Sequence, residues 1–308
     1  MPTHDDADQL YKQAVEAAGR GDHFKAKELF EGALELYREV PGAEKDQAHC
    51  LYSLATILDA LGKPAQAEPL YRQALTLYQT APNTERNQAQ CLYNLAINLN
   101  RLEEPDKAAP LYRQALTLFR SISGTERDQA NCLNNLATCM LNLRKLSHAE
   151  SLYYQALTLY QKIPGTEYEQ ATSTYSLATT LLSQGKLDPT EALYQDALKQ
   201  AVSAALFNDE YRYQLTSPTK RRAWITNRAQ PSMILAIALA GVLEEASLVA
   251  ELVAKWRMVG SLAATPAARN SDIFLITTMP DFTPQPEETL TRTPGPNLIL
   301  PHPRTAPL

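Results

Sequence analysis

Nine residues carry the side chains most often put to chemical use: Cys50, Cys91, Cys132 and Cys139, with His4, His23, His49, His148 and His302. Thiols and imidazoles can pair as nucleophile and base, or gather as zinc ligands. Their placement argues against both. A zinc site clusters Cys and His at short intervals, and this chain has no such cluster. Cys50, Cys91 and Cys132 recur instead at an interval of 41 (91−50, 132−91). Helices packed side by side lie about 10 Å apart, and a disulfide needs Cα atoms within about 7 Å. Cys132 and Cys139, seven residues apart on one helix, are separated by a rise of about 10 Å. The pattern is that of small buried thiols in a reducing compartment. No Ser/His/Asp or Cys/His set converges, and the 11 glycines are mostly single helix stops, not a phosphate-cradling loop. The expectation is no catalytic residues, no metal, no cofactor and no enzyme activity.

The elements beneath these residues repeat in the same step. Tyr37, Tyr78, Phe119 and Tyr160 are each 41 apart (78−37, 119−78, 160−119). Phe30, Tyr71, Tyr112, Tyr153 and Tyr194 keep the interval, as do Ala33, Ala74, Ala115, Ala156 and Ala197. So do the Leu-Ala pairs beginning at Leu54, Leu95, Leu136 and Leu177. A fixed period between about 20 and 50 residues marks a stacked repeat array, and such an array works by presenting one long surface. Within the second unit, Leu51, Leu54, Ala55, Leu58 and Leu61 form one apolar helix face. Gly62 suits a left-handed helix stop, and Pro64 suits the first turn of the next helix. Ala67, Leu70, Tyr71, Ala74, Leu75 and Tyr78 then make a second apolar face. The spacing predicts helix pairs at 7–20/23–39, 45–61/64–80, 86–102/105–121, 127–144/146–162 and 168–184/187–206. Thr84, Thr125 and Thr166, with acidic residues three positions later at Asp128 and Glu169, predict capping boxes, clearest at Thr166/Glu169.

This order of Leu, Leu-Ala, Leu, Gly, Ala, Tyr and Ala resembles the tetratricopeptide repeat (TPR). The resemblance covers roughly residues 7–203, and the 41-residue unit, with Ala67–Leu75 and Leu92–Ala96, looks like the kinesin-light-chain type. It implies an all-α fold, a right-handed superhelix (α-solenoid) of about five hairpins. It also implies that the first helix of each hairpin lines a concave groove. Carrying the family pattern over with Ala55 at its small-residue position points Tyr52, Thr56, Asp59 and Ala60 into the groove. In the next units it points Tyr93, Ile97, Asn100 and Arg101, then Asn134, Thr138, Leu141 and Asn142, then Tyr175, Thr179, Leu182 and Ser183. Asn94 and Asn135 stand beside them. The peptide-binding set is expected to be Tyr52, Tyr93, Asn94, Ile97, Arg101, Asn134, Asn135, Thr138, Asn142 and Tyr175. The amide side chains offer both donors and acceptors to a peptide backbone, and the tyrosines offer rigid contact area. Arg101 alone supplies a groove cation in these repeats, which disfavours an acidic terminus as ligand.

Composition and the remaining sequence narrow the function further. A net charge of −5 with no basic stripe excludes nucleic acid as the main partner. The start lacks a basic n-region and an apolar core, so no signal peptide is expected. The longest apolar run, Met233–Leu243, is 11 residues, against about 20 for a membrane span. The sequence reads as an array over 1–206, a degenerate helical cap over 207–264, and a Pro-rich tail over 265–308 with short β-like runs at 273–278 and 297–300. Arg212–Arg228 is polar and basic. The expectation is a cytoplasmic protein–protein interaction scaffold, with self-association open. The layout also resembles bacterial proteins that join TPR arrays to a caspase-like CHAT protease, whose catalytic His and Cys would lie beyond Leu308. On that alternative this chain is the regulatory portion.

Overall fold

The computed structural model describes residues 3–186, 188–211 and 230–243, together with Leu248 and Leu252. Every element among them is an α-helix: α1 (His4–Gly19), α2 (His23–Glu39), α3 (Glu44–Ala60), α4 (Pro64–Thr80), α5 (Glu85–Arg101), α6 (Pro105–Arg120), α7 (Glu126–Asn142), α8 (Leu146–Tyr160), α9 (Glu167–Ser183), α10 (Asp188–Tyr211) and α11 (Gln230–Val242). The basic stretch 212–228, the tail and its β-like runs lie outside the described residues.

Two compact units divide the chain. The first contains α1–α8 and the segment Thr179–Lys186. In it α1 pairs with α2, α3 with α4, α5 with α6 and α7 with α8, and each second helix packs on the next first helix. Consecutive first helices also meet, α3 with α5 and α5 with α7. They therefore form the inner side of this stack. Four alanines at the crossing position, Ala33, Ala74, Ala115 and Ala156, are all 0% exposed. A methyl group there lets two backbones approach. The aromatic knobs Phe30, Tyr71, Tyr112 and Tyr153 fill the spaces beside them, each buried. The second unit holds Gly165–Ala178 and the described residues after Lys186. In it Leu198, Ala201 and Ala205 of α10 pack with Met233, Ala236 and Leu239 of α11. α11 is apolar on nearly every side, as its burial requires.

Two of the buried tyrosine hydroxyls, on α2 and α8, find their partners at the same offset. Tyr37 donates to Asp8, and Tyr160 donates to Asn131 Oδ1 at 2.6 Å. In each case the partner lies 29 residues earlier. Phe119 has no hydroxyl, and the residue at its partner position, Gln90, turns instead toward Asn94 Oδ1 at 3.5 Å.

The turns at Thr84 and Thr125 correct the capping-box expectation at those two positions. Thr84 and Thr125 occupy the N-cap positions of α5 and α7, but neither side chain caps its own helix. Each hydroxyl points backward. Thr84 Oγ1 donates to the carbonyls of Tyr78 and Ala81, and Thr125 Oγ1 to those of Phe119 and Ile122. Gln88 and Gln129 add a bond to Tyr78 O and Phe119 O, and each also donates to its threonine, as Gln170 does to Thr166 Oγ1. The threonine thus satisfies orphan carbonyls at the end of one helix rather than amides at the start of the next. A capping box does form at Thr3/Asp6, which the spacing did not single out.

The first such turn has Ala43 where the others have threonine, and its Gln47 still donates to Tyr37 O at 3.0 Å. Ala43 has φ −91° and ψ 21°, close to the −118° and 11° of Thr84. Ala43→Thr is expected to stabilise the array by about 1 kcal/mol, the net gain from a well-placed hydrogen bond. A rise in the urea midpoint would show it, and a fall would mean the turn cannot accept the extra atoms.

Helix stops at Gly62 and Gly185 take φ of +70° and +76°. The corresponding residues in the intervening units are Glu103 and Arg144, at φ +60° and +58°. The fold holds the same left-handed stop even where a side chain makes it costly.

Candidate groove on the first helices

Within the first unit, α3, α5 and α7 present the sequence-predicted residues at matching heights. Two hydrogen bonds join neighbouring helices at one register. Asn94 Nδ2 donates to Tyr52 OH at 2.6 Å, and Asn135 Nδ2 donates to Tyr93 OH at 2.9 Å. Each tyrosine ring also meets the second helix of its own hairpin edge-on, Tyr52 with Tyr71 at 5.9 Å and Tyr93 with Tyr112 at 5.8 Å. Burial pushes the phenols of Tyr52 and Tyr93 well above the ordinary value, so both stay protonated.

These contacts arise from the helix repeat. Position 94 follows position 93 around α5, so its side chain leans toward the preceding hairpin while Tyr93 leans toward the following one. The amide–phenol pairing across 42 residues was the signal the spacing carried but the sequence reading did not use. Tyr93, Asn94, Ile97, Asn134 and Asn135 are all buried, Tyr93 completely. Tyr52 and Thr138 are half-buried and Asn142 is exposed. Thr138 Oγ1 lies 3.0 Å from Tyr153 OH and 3.2 Å from Asn134 O. Tyr175 belongs to the second unit, where its ring packs against Tyr194 at 5.8 Å.

A buried polar knot closes the α3/α5 end of this face. Asp59 Oδ2 accepts from Tyr71 OH at 2.9 Å, and Oδ1 accepts from Asn98 Nδ2 at 2.8 Å. Asn98 Nδ2 also reaches Pro64 O at 2.9 Å, which ties α5 to the start of α4. Arg101 Nη1 stands 3.5 Å from Asp59 Oδ1, with the two side chains 19% and 10% exposed. Desolvation raises the Asp59 pKa, opposed by Arg101 and the hydrogen bonds. The one groove cation foreseen in these repeats is thus already facing a carboxylate.

The thiols are inert in this setting. Burial pushes Cys50 and Cys139 up to about 12 and raises Cys91 and Cys132 as well. A thiol held protonated is neither a nucleophile nor a ready metal ligand. Among the described residues no group of three or more His, Cys, Asp or Glu could hold a metal ion, and no helix is long and apolar enough to cross a membrane.

A stack of antiparallel helix pairs in which small residues sit at every crossing, and the first helices share one polar face, defines an α-solenoid repeat protein. The tetratricopeptide repeat family model matches residues 17–80, 87–162 and 130–201, and the chain belongs to that family. Among solved structures, the chain is similar to the nearly identical TPR-like repeats of a kinesin light chain protein from Podosopora anserina, with TM-score 0.55 and 16% identity over 66% of this chain and 98% of that one. It is also similar to BtubC (BKLC) from P. vanneervenii, with TM-score 0.51 and 22% identity over 85% and 96%. A third is a Rap protein complexed with competence and sporulation factor, with TM-score 0.51 and 18% identity over 80% and 72%. At these identities the likeness is one of fold. No curated protein matches the sequence.

Proposed function

We propose that this protein is a non-enzymatic scaffold that holds an extended peptide or partner segment along the inner face of its first helices. The observation that carries the reading is the register of hydrogen-bonding side chains on α3, α5 and α7, with polar groups left at the surface beside a buried, ordered floor. Tyr52, Arg101, Thr138 and Asn142 offer the contact surface. Tyr93, Asn94, Ile97, Asn134 and Asn135 form the floor beneath it. Because Arg101 faces Asp59, the face is close to neutral, which suits a mixed polar and apolar segment better than an acidic terminus. The Rap protein's structure as a complex with competence and sporulation factor supports partner binding as a use of this fold. The proposal places the protein in the cytoplasm, with proteins rather than nucleic acid or membranes as partners, a second copy of itself included.

Affinity capture from native lysate, read by mass spectrometry, tests it. A Tyr52→Ala/Thr138→Ala/Asn142→Ala variant should keep the wild-type helicity and bind the captured partner about tenfold more weakly, a loss of about 1.4 kcal/mol spread over three contacts. Equal recovery by both proteins would move the binding surface elsewhere.

A further inference from the structure

The junction between the first two hairpins places two histidines on one carboxylate. His4, at the start of α1, lies with Nδ1 3.3 Å from Asp8 Oδ1 and Nε2 3.2 Å from Asp46 Oδ2. Asp8 is on α1 and Asp46 on α3, so the imidazole bridges the hairpins. A neutral imidazole has one N–H and one lone pair, whereas the imidazolium donates from both nitrogens. With a carboxylate at each nitrogen, only the charged ring makes two favourable contacts. The remaining neighbours reinforce this. From α2, Tyr37 donates its hydroxyl to Asp8 and meets the His4 ring edge-on at 5.4 Å, and Asp5 adds negative charge from α1.

The other oxygen of Asp46 looks toward His49. Its Oδ1 is 3.9 Å from His49 Nδ1, and the His49 side chain is 28% exposed against 47% for His4. His49 packs against Tyr78 of α4, with ring centroids 5.5 Å apart, and its Nε2 faces Asn87 Nδ2 of α5 at 3.3 Å. An Nε2 that accepts from that amide belongs to a neutral ring. Lys45, on the same helix, opposes a further positive charge. One carboxylate thus serves a histidine that is best charged and another that is best neutral.

We propose that the docking of the first hairpin onto the second is pH-gated through His4 and Asp46, and is tightest where His4 is charged. The signs follow from linkage. The hydrogen bond to Asp46 and the carboxylates around His4 hold its pKa above 6.5. Its contribution is complete below 6.5 and is lost as pH rises through the folded value. Burial holds His49 below 6.5. That burial is against Tyr78 of α4 and Asn87 of α5, within the second hairpin and toward the third, so it does not bear on the docking of the first. Docking therefore holds below the ordinary imidazole pKa and loosens on the alkaline side.

Amide hydrogen exchange on the full chain, from pH 5 to 8 and corrected for intrinsic rates, reads the docking directly. Protection of α1 and α2 relative to α7 and α8 should be level below about pH 6.5 and fall above it. His4→Gln and Asp46→Asn should each abolish the alkaline fall, and His49→Gln should leave it in place. In a proton NMR titration, the His4 ring should titrate above 6.5 in the wild type and shift toward 6.5 in Asp46→Asn, a readout that holds even if a substitution loosens the fold. A wild-type protection ratio that does not change with pH, or a His4 titration unmoved by Asp46→Asn, would overturn the proposal.

Discussion

Asp59→Ala is expected to destabilise the array by about 3–5 kcal/mol, the cost of leaving one partner of a buried ion pair uncompensated. The carboxylate is shared by three helices. It accepts from Tyr71 of α4 and from Asn98 of α5, and it faces Arg101 of α5. Its removal strands a phenol, an amide and a guanidinium in a site where the Asp59 side chain is only 10% exposed. Asp59→Asn should cost less, because one oxygen remains to accept. Asp59→Leu combined with Arg101→Leu should recover much of the loss, since replacing both charges by apolar groups avoids the buried orphan. Urea unfolding followed by circular dichroism gives the midpoints, and hydrogen exchange should place the loosened region at α3–α5. A wild-type midpoint for Asp59→Ala would show that Asp59 is not the keystone of this junction.

Ala115→Trp is the second large effect, of opposite origin. Ala115 is 0% exposed on α6 and belongs to the series of crossing alanines that recurs every 41 residues. An indole has no space between backbones brought together by a methyl group. Overpacking of this kind costs about 1–3 kcal/mol, and the size of the change places it at the upper end. Because units of a repeat array are stabilised by their neighbours, a displaced α6 should weaken its contacts with α5 and α7 together. The melting temperature should fall clearly, while Ala115→Ser should barely move it. An unchanged melting temperature in the tryptophan variant would refute the assignment of this position to a helix crossing.

Much of the architecture was legible because packing repeats in the same positions as the residues. Ala33 to Ala197 and Tyr37 to Tyr160 report the helix crossings directly, and Gly62 with Pro64 marks the break between the two helices of a hairpin. The predicted helix starts fall within about one to three residues of those observed, the scatter expected where terminal turns fray. The turns were harder to read. A threonine before a helix can serve the helix behind it as well as the one ahead, and at Thr84 and Thr125 the unpaired carbonyls behind win. The stops at Glu103 and Arg144 were hidden for a similar reason: stacking of the whole unit fixes a backbone that the local residue disfavours.

The candidate site was legible in position and not in detail. Period and family resemblance put Tyr93, Asn94 and Asn135 on the first helices, where they are. Neither says that Asn135 is committed to Tyr93 and Asn94 to Tyr52, because that depends on how one helix leans on the next. Similarly, Arg101 reads as a free cation until the fold brings Asp59 from the preceding unit alongside it.

The bonds from Asn94 to Tyr52 and from Asn135 to Tyr93 each span 42 residues, one more than the period. The third unit therefore carries both halves of the linkage, the phenol Tyr93 for the unit after it and the amide Asn94 for the unit before it, while the second supplies only Tyr52 and the fourth only Asn135. Excision of one 41-residue length between Tyr52 and Asn135 would bring those two residues to the separation that each now has from its own partner. Such couplings are indifferent to which copy supplies the mate, so a gene that gains or loses a copy of this third unit by unequal recombination keeps these seams closed.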